Sequence, residues 1–241
     1  MPKLTANTAL LTAGLIAGAA CAREDFAAER AALVAELREA SAQAEQFGAP
    51  PLSDRVLEVI AATPRHEFVP EGMRRQAYAN RPLPIGEDQT ISQPYIVALM
   101  TDLAAVDGES NVLEVGTGSG YQAAVLAALS GRVHSIEIIE PLGVRARKTL
   151  ERLGYDNVSV TIGDGYAGLP EFAPYDAIVV TAAPETVPEP LIEQLAVGGR
   201  LVIPVGEQGR GQILQVLTME EDGARVQNVI AVRFVPLTRG R

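Results

Sequence analysis

Three glycines at alternate positions, Gly116-Thr117-Gly118-Ser119-Gly120, separate the apolar run Val112-Leu-Glu-Val115 from an Ala/Leu segment that opens at Tyr121. Glycines there let the backbone turn sharply and let a ligand approach peptide N–H groups that a Cβ would shield. The spacing is not the Gly-x-Gly-x-x-Gly of a helix N-terminus that holds a pyrophosphate. With Glu114 just before it, a tight loop of this kind suits a cationic, phosphate-free nucleoside. S-adenosylmethionine is such a molecule. Taken alone, the glycines also have a plainer reading, as a strand-to-helix turn.

Two further acidic residues extend the pattern. Glu137 lies 17 residues beyond Gly120, near the end of an apolar run, where a carboxylate can accept bonds from both ribose hydroxyls. Asp164, in Gly163-Asp-Gly165, can accept a bond from an adenine amino group. Each has a plainer reading: an exposed strand-end carboxylate for Glu137, and ordinary turn chemistry for Asp164. Three acidic strand ends in series after the glycine loop are harder to obtain by chance than any one. The next apolar run ends in Thr181-Ala-Ala-Pro184, without the Asn or Asp that steers a nitrogen lone pair in amine methylation. That absence favours an acceptor that is already a nucleophile, such as a carboxylate with a pKa near ~4. Such chemistry needs no general base, only alignment and exclusion of water.

Those residues must be held by regular elements. Strands are expected at Val112–Val115, Val133–Ile138, Val158–Ile162, Ala177–Thr181 and Arg200–Pro204. Helices are expected between them near Tyr121–Leu129, Pro141–Leu153 and Pro188–Leu195. Short, nearly continuous apolar strands alternating with helices indicate an open α/β fold, its mostly parallel sheet covered on both faces. Ile213–Met219 and Arg225–Val235, joined by Glu220-Glu-Asp-Gly223, read as an antiparallel hairpin at one edge. Before this core, Phe26 to Gln46 is a helix with Leu33, Val34 and Leu37 on one face. Ser53 caps a second helix that stops before Pro64. Pro64 to Gln93 reads as irregular, and a helix from about Pro94 to Ala105 buries Ile96, Leu99, Met100 and Leu103. The organisation expected is a possible leader at 1–22, a helical, substrate-covering segment at 23–106 and a donor-binding core at 107–241.

Composition sets limits. The 241 residues are 47% hydrophobic, enough for a sizeable core. A formal charge of -10 without a basic stripe argues against nucleic acid as a partner. No apolar run is long enough to span a bilayer as a mature helix. No metal site is expected: His66 and His134 lie far apart and have no ligand spacing to Cys21. The Gly-x-Ser-x-Gly hydrolase motif matches the loop only in a shifted frame and fails.

Met1-Pro-Lys3, an apolar centre from Ala9 to Ala20 and the small residues Ala17 to Ala22 have the layout of an export signal. Cleavage after Ala20 would leave Cys21 where bacterial lipoproteins carry lipid, although Gly18 stands where such sites usually have Leu. An Ala-rich tail without a targeting role is the alternative.

Leu83-Pro-Ile-Gly86 and Gln89-Thr-Ile-Ser-Gln-Pro-Tyr-Ile-Val-Ala98 make the chain recognisable. It resembles the protein-L-isoaspartate O-methyltransferases, Rossmann-like class I methyltransferases that begin the repair of aged aspartyl and asparaginyl sites. Five other segments agree in order: Thr63–Pro70, Val112–Tyr121, Gly163–Gly165, Gly198–Gly206 and Ala231–Leu237. The match covers roughly Ser53 to Arg239, and the Thr-Ile-Ser-Gln-Pro segment is its most specific part. The extension before Ser53, including the apolar stretch from Leu4 to Cys21, departs from the pattern.

The resemblance implies that Ser92 is the active-site residue, orienting the acceptor carboxylate. Read without it, Ser92 is a helix N-cap before Pro94. By position the resemblance carries donor contacts to Ile91, Glu114, Gly116, Thr117, Gly118, Ser119, Gly120, Glu137, Asp164, Gly165 and Thr238. It carries a substrate groove to Pro204, Val205, Gly206, Val232 and Phe234, beside Ser92. The implied reaction methylates the free α-carboxylate of an L-isoaspartyl residue with S-adenosyl-L-methionine. S-adenosyl-L-homocysteine is the co-product, and the ester closes to a succinimide that hydrolyses partly to normal aspartyl. Isoaspartyl peptides and proteins are the implied partners of a monomer, cytoplasmic because the donor is made there; export through 1–22 is the alternative. Rivals are a small-molecule carboxyl methyltransferase, a non-catalytic S-adenosylmethionine-binding protein and a nicotinamide dehydrogenase, the last disfavoured by the glycine spacing.

Overall fold

A computed structural model describes residues 25–239, so the leader expected at 1–22 and Cys21 lie outside the described residues. Its centre is a seven-stranded sheet in the order β5-β4-β3-β6-β7-β8-β9. The strands β3 (Asn111–Val115), β4 (Arg132–Glu137), β5 (Val158–Ile162), β6 (Tyr175–Val180) and β7 (Leu195–Val205) pair in parallel. β8 (Gln212–Glu220) and β9 (Gly223–Val232) add two antiparallel strands through a turn at Glu221-Asp222. The alternation of side chains explains why the parallel strands are apolar at nearly every position. Val112, Ala177, Val179 and Val202 enter one core cluster, while Leu113, Ile178, Val180 and Leu201 enter a second. Consecutive residues face opposite sides, and both sides are covered.

The sheet helices are α4 (Tyr121–Ala127), α5 (Glu140–Leu153) and α6 (Glu189–Glu193). The last is shorter than expected: Leu195 begins β7, because Tyr175 of β6 recruits it into the ladder. At the C-terminus β9 ends at Val232, and Phe234 to Leu237 turns inward to bridge Ala183 through Pro236.

The N-terminal segment packs into the first cluster. In α1 (Ala27–Glu45) Leu33 and Leu37 are buried. α2 (Asp54–Ala62) is capped by the Ser53 hydroxyl, which accepts the Val56 N–H at 3.2 Å. α3 (Pro94–Ala104) is buried more completely than an amphipathic stripe requires. Val97, Ala98, Leu99 and Met100 are fully covered, whereas Ile96 and Leu103 are only half-buried. The helix touches α1 and α2 on one side and β6 and β7 on the other, so more than one face is apolar.

The stretch Pro64 to Gln93 is more ordered than its sequence texture indicates. It holds 3-10 turns at Arg65–Phe68 and Glu71–Gln76, then a small hairpin of β1 (Leu83–Gly86) and β2 (Gln89–Ile91). Strands of four and three residues are too short for an alternation pattern to register, and Pro84 interrupts the longer one.

Candidate active site

The chain reverses its winding between β3 and β6, and open α/β sheets offer a crevice at the strand ends there. The glycine loop leaves β3 at this point. Gly116 extends the ladder by donating its N–H to Ile136 at 2.8 Å. Its φ of +95° lies in the left-handed region, and an added Cβ would stand 2.5 Å from the Thr181 hydroxyl oxygen. No other residue type meets both conditions without a shift. The Thr181 hydroxyl donates to the Gly116 carbonyl at 2.6 Å, tying the end of β6 to the loop.

Two carboxyl groups support the loop. One Glu137 oxygen accepts the Gly118 N–H at 2.7 Å and the other accepts the Ile139 N–H at 2.8 Å. Lone pairs remain on both oxygens for an incoming hydroxyl. Glu114 lies beneath the loop, fully buried. The Ser135 hydroxyl donates to one of its oxygens and also meets the Thr117 hydroxyl, while among the described residues the second, buried oxygen has no hydrogen bond of ordinary geometry, the Ala123 N–H approaching the carboxyl only loosely. Burial pushes the Glu114 pKa up to about 8 against the opposing bond from Ser135, and the nearby Glu137 charge adds to the rise. A buried acid of this kind stays protonated near neutral pH unless a cation is placed beside it.

Three adjoining chambers meet over these groups. The first, about 570 Å³ including its open mouth, is lined by Gly116, Gly118, Glu137, Gly165 and Thr238. The second, under the loop, is lined by Ile91, Ser92, Glu114, Thr117 and Ser119. The third opens between the end of β2 and the end of β9, where Ser92, Ile96, Val232 and Phe234 form its walls. Thr90 and Thr181 line all three.

Some residues singled out from the sequence stand elsewhere. Gly120 lies at the start of α4, where an added Cβ would press on Leu150 at 3.2 Å. Asp164 accepts the Tyr166 N–H at 2.9 Å in a local turn and faces a neighbouring depression with Tyr166 and Arg239. Pro204, Val205 and Gly206 line none of the three chambers; Gly206 donates to the Pro184 carbonyl instead.

The helix-cap reading of Ser92 is corrected. The N-cap of α3 is Gln93, without a side-chain cap bond of its own. The Asn80 side chain, 15 residues upstream, accepts the Tyr95 N–H at 3.1 Å in its place. The Ser92 hydroxyl makes no hydrogen bond to another described residue and borders both the second and third chambers.

Residues 37–241 match the family model for protein-L-isoaspartate(D-aspartate) O-methyltransferase. The chain belongs to the protein-L-isoaspartate O-methyltransferase family. A Protein-L-isoaspartate O-methyltransferase 2 of Polaromonas sp. is 56% identical over 214 residues, 88% of this chain and 99% of the relative. One from Syntrophobacter fumaroxidans is 54% identical over 96% of this chain and 95% of its own length. Among solved structures, a protein-L-isoaspartate O-methyltransferase superimposes with a TM-score of 0.74 at 30% identity, covering 86% of this chain and 65% of that one. A beta-aspartate methyltransferase from Plasmodium falciparum, in complex with S-adenosyl-L-homocysteine, gives 0.71 at 25% identity over 87% of this chain and 98% of its own.

Within this family member, Thr90 and Thr181 went unassigned in the sequence. Thr90 carries a signal, since it opens the Thr-Ile-Ser segment. Thr181 carries none, because its importance comes from its contact with a loop 65 residues away. Among the described residues there is no group of three or more His, Cys, Asp or Glu side chains able to hold a metal ion. No helix among them is long and apolar enough to cross a membrane.

Proposed function

We propose that this chain transfers the methyl group of S-adenosyl-L-methionine to the free α-carboxylate of L-isoaspartyl residues in peptides and proteins. The observation that carries the reading is the shared wall. The chambers around the glycine loop and the groove beside Ser92 meet at Thr90 and Thr181, so a donor and an acceptor can face each other there.

The residues present fit the donor. Its methyl sits on a positively charged sulfur, which makes the carbon open to attack by an anion. Glu114 offers a buried oxygen without a well-formed hydrogen bond among the described residues, in the wall of the second chamber, and Glu137 offers spare lone pairs in the first. The glycine loop exposes backbone rather than side chains. Ile91, Gly116, Thr117, Gly118, Ser119, Gly165 and Thr238 complete the donor contacts, with Gly120 setting the loop's exit and Asp164 holding the turn that carries Gly165 to the first chamber.

The Ser92 hydroxyl, with no hydrogen-bond partner among the described residues, orients the acceptor carboxylate; it has no proton to remove from an ionised acid. Val232 and Phe234 flank the isoaspartyl backbone, with Pro204, Val205 and Gly206 behind them as support. Holding oxygen, carbon and sulfur in line supplies the rate, since alignment alone can be worth about 7–11 kcal/mol. The enzyme acts as a cytoplasmic monomer without nucleic acid, in the compartment where its donor is made.

Incubation with methyl-labelled S-adenosylmethionine and two peptides that differ only in Asp or isoAsp linkage tests the reading. Label is expected in the isoaspartyl peptide alone. Equal labelling of the two would indicate an unselective carboxyl methyltransferase.

A further inference from the structure

Arg65 is a cation in the core. Its side chain is fully buried in the 3-10 turn Arg65–Phe68, and among the described residues it has no carboxylate within ion-pair distance. Two carbonyls hold it instead. Nε donates to Ala77 at 2.8 Å and Nη2 donates to Ser92, also at 2.8 Å. Its central carbon lies 4.8 Å from the centre of the Tyr121 ring. Burial lowers its pKa to about 10, which leaves it charged at neutral pH.

Burying a charge without an opposite charge is costly, and well-packed apolar side chains commonly serve a core at least as well. What an apolar residue cannot do is hold the Ser92 carbonyl. That bond fixes the peptide plane after Ser92, hence the direction of its Cα–Cβ bond. Among the described residues, Ser92 is otherwise tethered through its neighbours: Ile91 pairs with Leu83, and the Gln93 side chain donates to the Asn80 carbonyl at 3.1 Å. Tyr121, under the same guanidinium, is the first residue of the helix that follows the glycine loop. One side chain therefore touches the backbone of the acceptor serine and the first residue after the donor loop.

We infer that Arg65 is a positioning residue for methyl transfer, setting the Ser92 hydroxyl against the donor loop through the Ser92 carbonyl and the Tyr121 ring. This rests on the reading of Ser92 as the group that orients the acceptor.

A double-mutant cycle on the full-length protein tests it, with Arg65→Met, Ser92→Ala and both together. The readouts are kcat on an isoaspartyl peptide at saturating donor, the Kd for S-adenosylhomocysteine and Tm. Arg65→Met is expected to lower kcat at least tenfold while Kd for S-adenosylhomocysteine changes less than threefold. In the Ser92→Ala background the same substitution is expected to cost less than twofold, because the hydroxyl it positions is gone. Losses that multiply, or an unchanged kcat in Arg65→Met, overturn the inference. Should the Met variant fail to bind S-adenosylhomocysteine, Arg65→Lys, which keeps the charge but reaches only one carbonyl, takes its place with the same expectations. Failure of both variants to bind would make Arg65 a folding residue and overturn the inference too. If Ser92→Ala alone leaves kcat unchanged, the reading of Ser92 falls first and takes this inference with it.

Discussion

Glu137 and Gly118 are joined by a hydrogen bond of 2.7 Å, from the loop N–H to the carboxylate. The residue proposed to receive the donor's ribose is thus also a strut of the loop proposed to hold the rest of it. Its second oxygen takes the Ile139 N–H, so strand end, glycine loop and the entry to α5 share one carboxylate.

Replacing Glu137 by Ala removes a charged acceptor from the donor and leaves the Gly118 N–H without its partner. S-adenosylhomocysteine binding is expected to weaken by about 1.5–3 kcal/mol or somewhat more, since a bond to a charged group and a loop support go together. Calorimetric titration gives the number. An affinity equal to that of the unaltered protein would remove Glu137 from the site.

For Ser92→Ala the expected split is the opposite. A hydroxyl bond to a carboxylate contributes about 1.5–3 kcal/mol, so turnover should fall roughly 10–150-fold. Donor affinity should hold. Steady-state assays paired with S-adenosylhomocysteine titration separate the two effects, and a loss confined to donor affinity would contradict the assigned role.

Gly116→Ala puts a Cβ into a left-handed backbone, at 2.5 Å from the Thr181 oxygen. The conformation alone costs about 1–2 kcal/mol, which corresponds to a Tm lower by about 2–4 °C per kcal/mol in a chain of this size. The loop can escape the contact only by moving, so S-adenosylhomocysteine affinity should drop more than about tenfold. A thermal melt and a titration check both parts.

Glu114 predicts a pH signature. Its folded pKa, about 8, lies above the ordinary carboxylate value. The folded state therefore binds that proton more tightly than the unfolded chain does. The resulting stability is complete below the unfolded pKa and is lost as pH rises through about 8. In Glu114→Gln this decline should disappear, so the ligand-free variant should lose less Tm than the unaltered protein between about pH 6 and about pH 9. Parallel melting curves for the two proteins would show that Glu114 does not titrate in that window.

The parallel core was legible because its rules are local. Val112–Val115 and Ala177–Val180 are apolar at nearly every position, which only a strand covered on both faces requires. Gly223 after Glu221-Asp222 marked the hairpin, and Ser53 marked the start of α2. The β1–β2 hairpin escaped notice since strands of four and three residues leave no period to count.

The sheet, the glycine loop and the Thr-Ile-Ser segment can be read from the chain's residues alone, because these depend on residue types within a few positions of one another. The surroundings of Ser92 come from long-range packing. Asn80 caps α3 and thereby leaves the serine hydroxyl uncommitted, and Arg65 reaches the Ser92 carbonyl across 27 residues. Thr181 meets Gly116 across 65. Contacts at such separations follow from how helices and strands stack, and a one-dimensional pattern carries no distance between segments that have not yet packed.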